Sequence, residues 1–444
     1  MTLCSAHKPN GMGTVQRTYG IGVPLVAQHA AGGPTHAFVA DDVPFAVTAF
    51  CRFDGAVADL TEQPRARLEF VNPLVVVAAK VGEHSVPLET DLTTPLAHYL
   101  GQAHLEKAAY LSFLKPTVLG DRAGLHFLEP YQPGKIPVVF VHGLLSSPQT
   151  WAPVVNELLG DPEIRRRYRV GVYFYPTAEP YLVASADLRQ NLAAYRQCVD
   201  PWGRDATLSQ MVVVGHSMGG LIGRLLTSDG GDDFWALASQ EPLDKLQMSP
   251  KTRDQLRRTY YFEREPGVTR VVFCGTPHRG SEMSPALPGR IAALIAGIPR
   301  PLLRTTLEVE KLNPQLRTSG WQTPTSVDLL SPDAPALRVL AGRKCPEGVA
   351  YHSIVGVALT KGLATEPCYG TAAAGDGVVP YESAHLEGAR SELVVQADHT
   401  HVHHHPLAIR ELRRILLEHA AEVGRKKQAA ASGVQGESAG REER

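Results

Sequence analysis

The stretch Met211-Val212-Val213-Val214-Gly215-His216-Ser217-Met218-Gly219-Gly220 decides how this chain is read. Three consecutive valines favour a strand, because β-branched side chains suit a pleated surface. Leu221-Ile222-Gly223-Arg224-Leu225-Leu226 follows and reads as the opening of a buried helix. Ser217 therefore falls on a tight strand-to-helix turn, which strains the residue and lifts its hydroxyl clear of the sheet. Gly215 and Gly219, two positions to either side, have no side chains to clash where the backbone folds over itself. The N–H of Met218 opens the helix, where donors are unpaired and the dipole favours negative charge. An acyl-transfer nucleophile needs that combination. The alternative is a glycine-rich turn without chemistry, and the rest of the chain must decide between them.

Working outward, residues 136–141 form an apolar strand that runs straight into His142-Gly143-Leu144-Leu145. Ser147-Pro148 then caps a helix with Trp151, Val154, Val155, Leu158 and Leu159 on one stripe. Residues 170–175 are the next strand and 186–199 an amphipathic helix. Further strands are expected at 270–274, 352–357 and 393–395, and a last helix from Pro406 to about Glu418. Near-continuous apolar strands alternating with helices imply an α/β fold, its mostly parallel sheet covered on both faces. The main domain is read as 121–423. Before it come a loosely held arm, 1–35, and a small β module, 36–120. The module's strands are expected at 45–50, 66–71 and 74–79, followed by a helix with Thr94 as cap and Pro95 in the first turn. Residues 424–444 are small and polar and are expected to be disordered. Two stretches, 229–266 and 281–335, break the rhythm. Both are read as following the C-terminal ends of strands, where ligands bind in open α/β sheets, and hence as a cap or lid. The alternative is packing on the outside of the sheet.

The chain has 444 residues, 43% of them hydrophobic, and a net charge of −1. Nothing in that charge favours nucleic acid or an anionic membrane. No window offers the roughly 18 uninterrupted apolar residues of a membrane span. The first twenty residues lack the apolar core of a signal peptide, so a cytoplasmic setting is expected unless a leader has been removed. The six cysteines form no Cys-x-x-Cys pair. Buried free thiols are expected, with Cys345 and Cys368 an open possibility for pairing.

A serine hydroxyl needs a base, and the base needs an acid to orient it. Asp376 sits in Ala374-Gly375-Asp376-Gly377-Val378-Val379-Pro380, a tightly turned loop after a late strand. The base comes from Asp398-His399-Thr400-His401-Val402-His403-His404-His405. His399 comes first after the final strand, where a loop can carry it back over the nucleophile, and His403 is the second candidate. Asp398 is too close in sequence to orient the ring of its own neighbour. The histidine cluster lacks metal-site spacing, and no metal is expected. Met218 and Leu144 N–H groups are the expected oxyanion donors. His142, Gly143 and His216 are expected to border the substrate, His142 chiefly by pinning its loop. His278, in Gly275-Thr276-Pro277-His278-Arg279-Gly280-Ser281, is read as a loop anchor.

With these residues assembled, the chain resembles the α/β-hydrolase superfamily, and within it bacterial lipase- and esterase-like proteins related to the GPI inositol-deacylase type. Val141-His142-Gly143, Gly215 to Gly220, Gly275 to Ser281, Asp376 to Pro380 and His399 carry the resemblance, over about 125–418. The order Ser, Asp, His is the one that fold shows. The resemblance implies hydrolysis of a small or lipid-like carboxylic ester through an acyl-enzyme, without a cofactor. It leaves the N-terminal module without a role. An acyltransferase or thioesterase on the same three residues is an alternative. So is a non-catalytic binding protein on a hydrolase scaffold. Oligomeric state is left open.

Overall fold

Apolar β-branched runs build the centre of the molecule. The structure, a computed structural model, describes residues 1–9, 11–28, 38–39, 44–54, 65–100, 123–281, 300–316, 326, 328–358 and 375–439. The main sheet has seven strands: β7 (Gly124–Phe127), β8 (Ile136–Val141), β9 (Tyr168–Phe174), β10 (Met211–His216), β11 (Val268–Cys274), β12 (Ala350–Gly356) and β13 (Ser391–Val395). Their spatial order is β13-β12-β11-β10-β8-β9-β7. All neighbours are parallel except β7, which closes one edge antiparallel to β9.

Alternate residues of each strand enter different cores, as the twofold period of a strand requires. Val139, Val141, Val213, Val271 and Phe273 pack beneath α3 (Tyr181–Val199) and α4 (Met218–Leu226). Val138, Phe140, Val212, Val214 and Val272 face the other way, toward α2 (Ala152–Gly160) and α7 (Pro406–Ala439). The chain passes from β8 to β9 on one side and returns to β10 on the other. The loops after β8 and β10 therefore splay apart at a topological switch point, where crevices form.

The N-terminal region departs from expectation. Residues 1–35 are not simply a loose arm. Thr2–Leu3 (β1) pairs with Val23–Ala27 (β2), β2 pairs with Phe45–Asp54 (β3), and β3 pairs with Arg65–Val71 (β4), all antiparallel. The strand expected at 74–79 is displaced: Leu74 lies in a turn held by the Asn72 side chain, and pairing begins only with the hairpin β5 (Ala78–Val81) and β6 (His84–Pro87). Asp91, not Thr94, caps α1 (Thr93–Leu100), its carboxylate accepting from the N–H groups of Thr93 and Thr94 at 3.1 and 2.8 Å. Ser147 makes no side-chain cap. Ala46, Leu92 and Leu96 share a core with Val154, Val155 and Leu158, so the N-terminal strands and the main sheet are joined by common packing.

The tail is also corrected, since α7 runs on to Ala439. Cys4 and Cys274 are buried, but the free thiols of Cys51, Cys198 and Cys345 are exposed. Cys368 lies outside the described residues. Of the two insertions, 229–266 begins after the C-terminus of α4 and ends where β11 starts, beside the first residue of β10. Both its ends thus stand at the sheet edge opposite Ser217, because it follows a helix and not a strand. Of 281–335, residues 282–299, 317–325 and 327 lie outside the described ones. α6 (Arg300–Leu312) packs with α5 (Pro250–Tyr260) around Trp235, Leu243, Leu246, Leu256, Val309 and Leu316. In this cluster, described apolar residues of the two insertions pack on one another, while Leu303, Leu307 and Leu312 are exposed. Among the described residues no helix is long and apolar enough to cross a membrane.

Candidate active site

Ser217 links β10 to α4 with φ of 54° and ψ of −124°, and it is one of two described non-glycine residues with positive φ. Such a conformation costs on the order of 1–3 kcal/mol and persists only where the surroundings impose it. They do so here by close approach. A Cβ on Gly215 would lie 2.4 Å from the Gly219 carbonyl oxygen, and one on Gly219 would lie 2.3 Å from that of Val141. The second glycine of the motif therefore lets α4 start directly against β8.

Three side chains from distant parts of the sequence meet at this turn. The Ser217 hydroxyl lies 2.9 Å from Nε2 of His399, and Nδ1 of His399 lies 2.6 Å from Oδ2 of Asp376. The carboxylate can only accept, so Nδ1 carries the proton and Nε2 receives the hydroxyl hydrogen. Asp376 is held by its own loop: Oδ1 accepts from the N–H groups of Val378 and Val379 at 3.0 and 2.7 Å. The Asp376 carbonyl accepts from the His399 N–H at 2.9 Å, tying the β12 and β13 loops together. The Asp376 side chain is 1% exposed, that of His399 12%. A buried acid behind a ring with one accessible edge is the arrangement that orients an imidazole toward a hydroxyl.

The other histidines fall elsewhere. His403 is buried, with Nε2 2.7 Å from the Thr150 hydroxyl and its ring against Trp151, so it is out of reach of Ser217. Asp398 pairs with His401 at 2.7 Å, on the surface. His278 is buried and its backbone N–H donates to the Ser383 carbonyl at 2.9 Å, which fits a loop anchor.

Two residues expected beside the substrate are instead enclosed. His216 is 5% exposed; its Nε2–H donates to the His399 carbonyl at 2.8 Å, and its ring lies between those of His399 and His403. Burial and the neighbouring His399 hold it well below the usual imidazole range, so the ring is neutral. His142 is fully buried and stacked on Tyr175 at 4.5 Å, its Nδ1–H reaching the Gly143 carbonyl at 3.1 Å. Burial lowers it to about 4, against the opposing pull of that hydrogen bond. The two rings shape backbone from behind, because in-line neighbours on a strand end point into the protein when the serine points out.

Gly143 lies against Ser217: a Cβ there would be 2.9 Å from the Ser217 Cβ. Leu145 has φ of 55°, and its N–H donates to the Thr177 hydroxyl at 3.3 Å, which turns the β8 loop. The N–H groups of Leu144 and Met218 have no acceptor among the described residues. Sequence reasoning missed Tyr175 and Thr177. The Tyr175 hydroxyl donates to the His142 carbonyl at 2.8 Å and so fixes the same loop. Its place at the end of an apolar strand carried no signal beyond core packing.

A family model described as "Alpha/beta hydrolase family" matches residues 138–412. Among curated proteins none matches. Similar solved structures include the mature lipase BlEst2 of Bacillus licheniformis, 18% identical, with 66% of this chain and 97% of that one covered and a TM-score of 0.37. Esterase 2 of Thermogutta terrifontis is 16% identical, with 68% and 89% covered and a TM-score of 0.34. A lipase-esterase related protein from Clostridium acetobutylicum is 14% identical, with 66% and 99% covered and a TM-score of 0.32. The matched segment spans well over half the chain and contains Ser217, Asp376 and His399, and the protein belongs to the alpha/beta hydrolase family.

Proposed function

We propose that this protein is a serine hydrolase that cleaves carboxylic esters through an acyl-enzyme intermediate. His399 Nε2 takes the proton of Ser217 as Oγ attacks the ester carbonyl carbon. The carbonyl oxygen becomes an oxyanion and is met by the N–H groups of Met218 and Leu144. Asp376 stabilises the imidazolium. The tetrahedral intermediate collapses, the C–O bond to the alcohol breaks, and His399 hands its proton to the leaving oxygen. Water then repeats the sequence on the acyl-enzyme and releases the acid, returning the proton to Ser217.

The observation that carries this reading is the chain of two short hydrogen bonds, 2.6 and 2.9 Å, that joins a buried carboxylate to a hydroxyl on a strained turn. The test is turnover of p-nitrophenyl esters of graded chain length, with fluorophosphonate labelling of the full chain. Labelling of the wild type at Ser217 is expected, with loss of both labelling and turnover in Ser217→Ala. Equal turnover by the two proteins would remove Ser217 from the reaction. Failure of the wild type to label would leave a binding protein on a hydrolase scaffold.

A further inference from the structure

On the flank of α4, beyond the chain of hydrogen bonds at Ser217, lies a cavity of about 510 Å³. That volume is in the range of small-molecule sites. Its wall holds four cationic side chains, Arg224, Arg279, Arg343 and Lys344, and one carboxylate, the exposed Glu387. Neither Ser217, His399 nor Asp376 borders it. Arg224 lies seven residues past Ser217, about 10 Å along the helix axis.

Arg224 is the anomaly. It is 3% exposed, yet its guanidinium meets only Nδ1 of His278, at 3.2 Å, and the carbonyl of Arg343, at 3.4 Å. Its Nε has no partner. Burial and the nearby Arg279 pull it below the usual arginine range, and the groups that oppose them, Tyr351 and Cys345, are neutral at pH 7. A buried cation without an anion is a costly arrangement, since the interior solvates it poorly. The neighbours do not relieve it. Arg279 donates to the carbonyls of Glu382 and His385. Arg343 turns one nitrogen outward to Asp233 at 2.8 Å and leaves its buried Nε unpartnered. An arginine can only donate, so the His278 Nδ1 must accept and the ring proton sits on Nε2. That buried N–H also lacks an acceptor. Three donors are thus left over around one cationic hollow. Tyr351 and Leu386 give the same hollow an apolar side.

We propose that this cavity binds a small molecule carrying a phosphate group, with Arg224, Arg343 and Lys344 around the phosphate and Tyr351 and Leu386 against the organic part. A tetrahedral dianion supplies several acceptors at once, and guanidinium groups match it in shape and charge. The inference is independent of ester hydrolysis, because it concerns binding at other residues.

The test is calorimetric titration of the full chain with inorganic phosphate, glycerol 3-phosphate and citrate, each against sodium chloride at matched ionic strength. Saturable binding of the phosphate compounds, one per chain, is expected. Losing one charge-assisted contact is expected to weaken it about tenfold in Arg224→Met and in Arg343→Ala. Without ligand, Arg224→Met is expected to melt no lower than the wild type, since it removes an unpaired buried charge. If Arg224→Met does not fold, Arg343→Ala decides. Binding of citrate but of neither phosphate compound would overturn the phosphate assignment. Heats no different from chloride, or affinity unchanged in both variants, would overturn the site.

Discussion

Asp376 and the motif glycines act through distances of a few tenths of an ångström. The Asp376 carboxylate accepts from two N–H groups of its own loop and from His399, so Asp376→Asn keeps the turn but puts a donor where the ring needs an acceptor. On the proposed mechanism, kcat for a p-nitrophenyl ester falls about 10⁴-fold while KM changes little. Steady-state kinetics at saturating ester checks this, and a variant within tenfold of the wild type would dissociate Asp376 from the chemistry. Gly219 is a steric matter. A Cβ there meets the Val141 carbonyl oxygen at 2.3 Å, backbone against backbone, so neither side can rotate away. Gly219→Ala is expected to lower stability by about 1–3 kcal/mol or more, read as a drop in denaturant midpoint. Both residues were legible in the sequence because tight turns constrain residue type strongly. His142 and His216 were legible as present but not as to direction, since a loop histidine can face in or out.

At the level of elements, the last helix divides in two. Leu412, Ile415, Leu416, Ala420 and Val423 are buried against the sheet, and Leu416 offers its carbonyl to the Tyr168 hydroxyl at 2.7 Å. Arg270 reaches from β11 to Glu422 at 2.6 Å and to His352 at 3.1 Å under the same helix. Deleting residues 425–444 is therefore expected to shift the thermal midpoint by no more than a degree or two, the equivalent of about 0.5 kcal/mol. Leu416→Ala is expected to cost about 2–5 kcal/mol. A large loss on deletion would mean that the distal turns pack. The polar composition after Gly424 read as disorder because few apolar residues are available there to bury. A helix already nucleated by packing extends at little further cost.

For the whole molecule, buried histidines set the acid limit. Burial, with Arg270 next, lowers both His352 and His419 to about 3; burial lowers His142 to about 4 and also pulls His216, His278 and His403 down. Unfolded, these rings take up protons near 6.5, the ordinary value. Below that pH the unfolded chain binds more protons, so the stability they contribute is full above 6.5 and is lost as pH falls toward 3. The melting temperature is expected to drop steeply between pH 6.5 and 4, before most carboxylates titrate. A flat profile across that interval would contradict neutral burial. The part-buried Glu179 works in the opposite sense. Burial, and then Asp187, raises it from 4.5 to about 8, so its contribution is full below 4.5 and is lost as pH rises through 8. Glu179→Gln is expected to raise the melting temperature at pH 9 and leave it unchanged at pH 4.

Local pattern determined the parallel sheet, the strand-to-helix turn at Ser217 and the choice of Asp376 and His399. Valine runs, paired glycines and the order of loops are short-range features that one physical requirement each explains. Long-range packing decided the rest. The N-terminal arm became sheet because Val23–Ala27 found β3 to pair with, and no local signal names a distant partner. The insertions packed on each other because apolar residues do not specify which apolar surface they will meet. The cationic cavity joins Arg224, Arg279 and Arg343, which are scattered over 120 positions of sequence. Charge is brought together only when helices and loops close around a core, and its burial exists only in three dimensions.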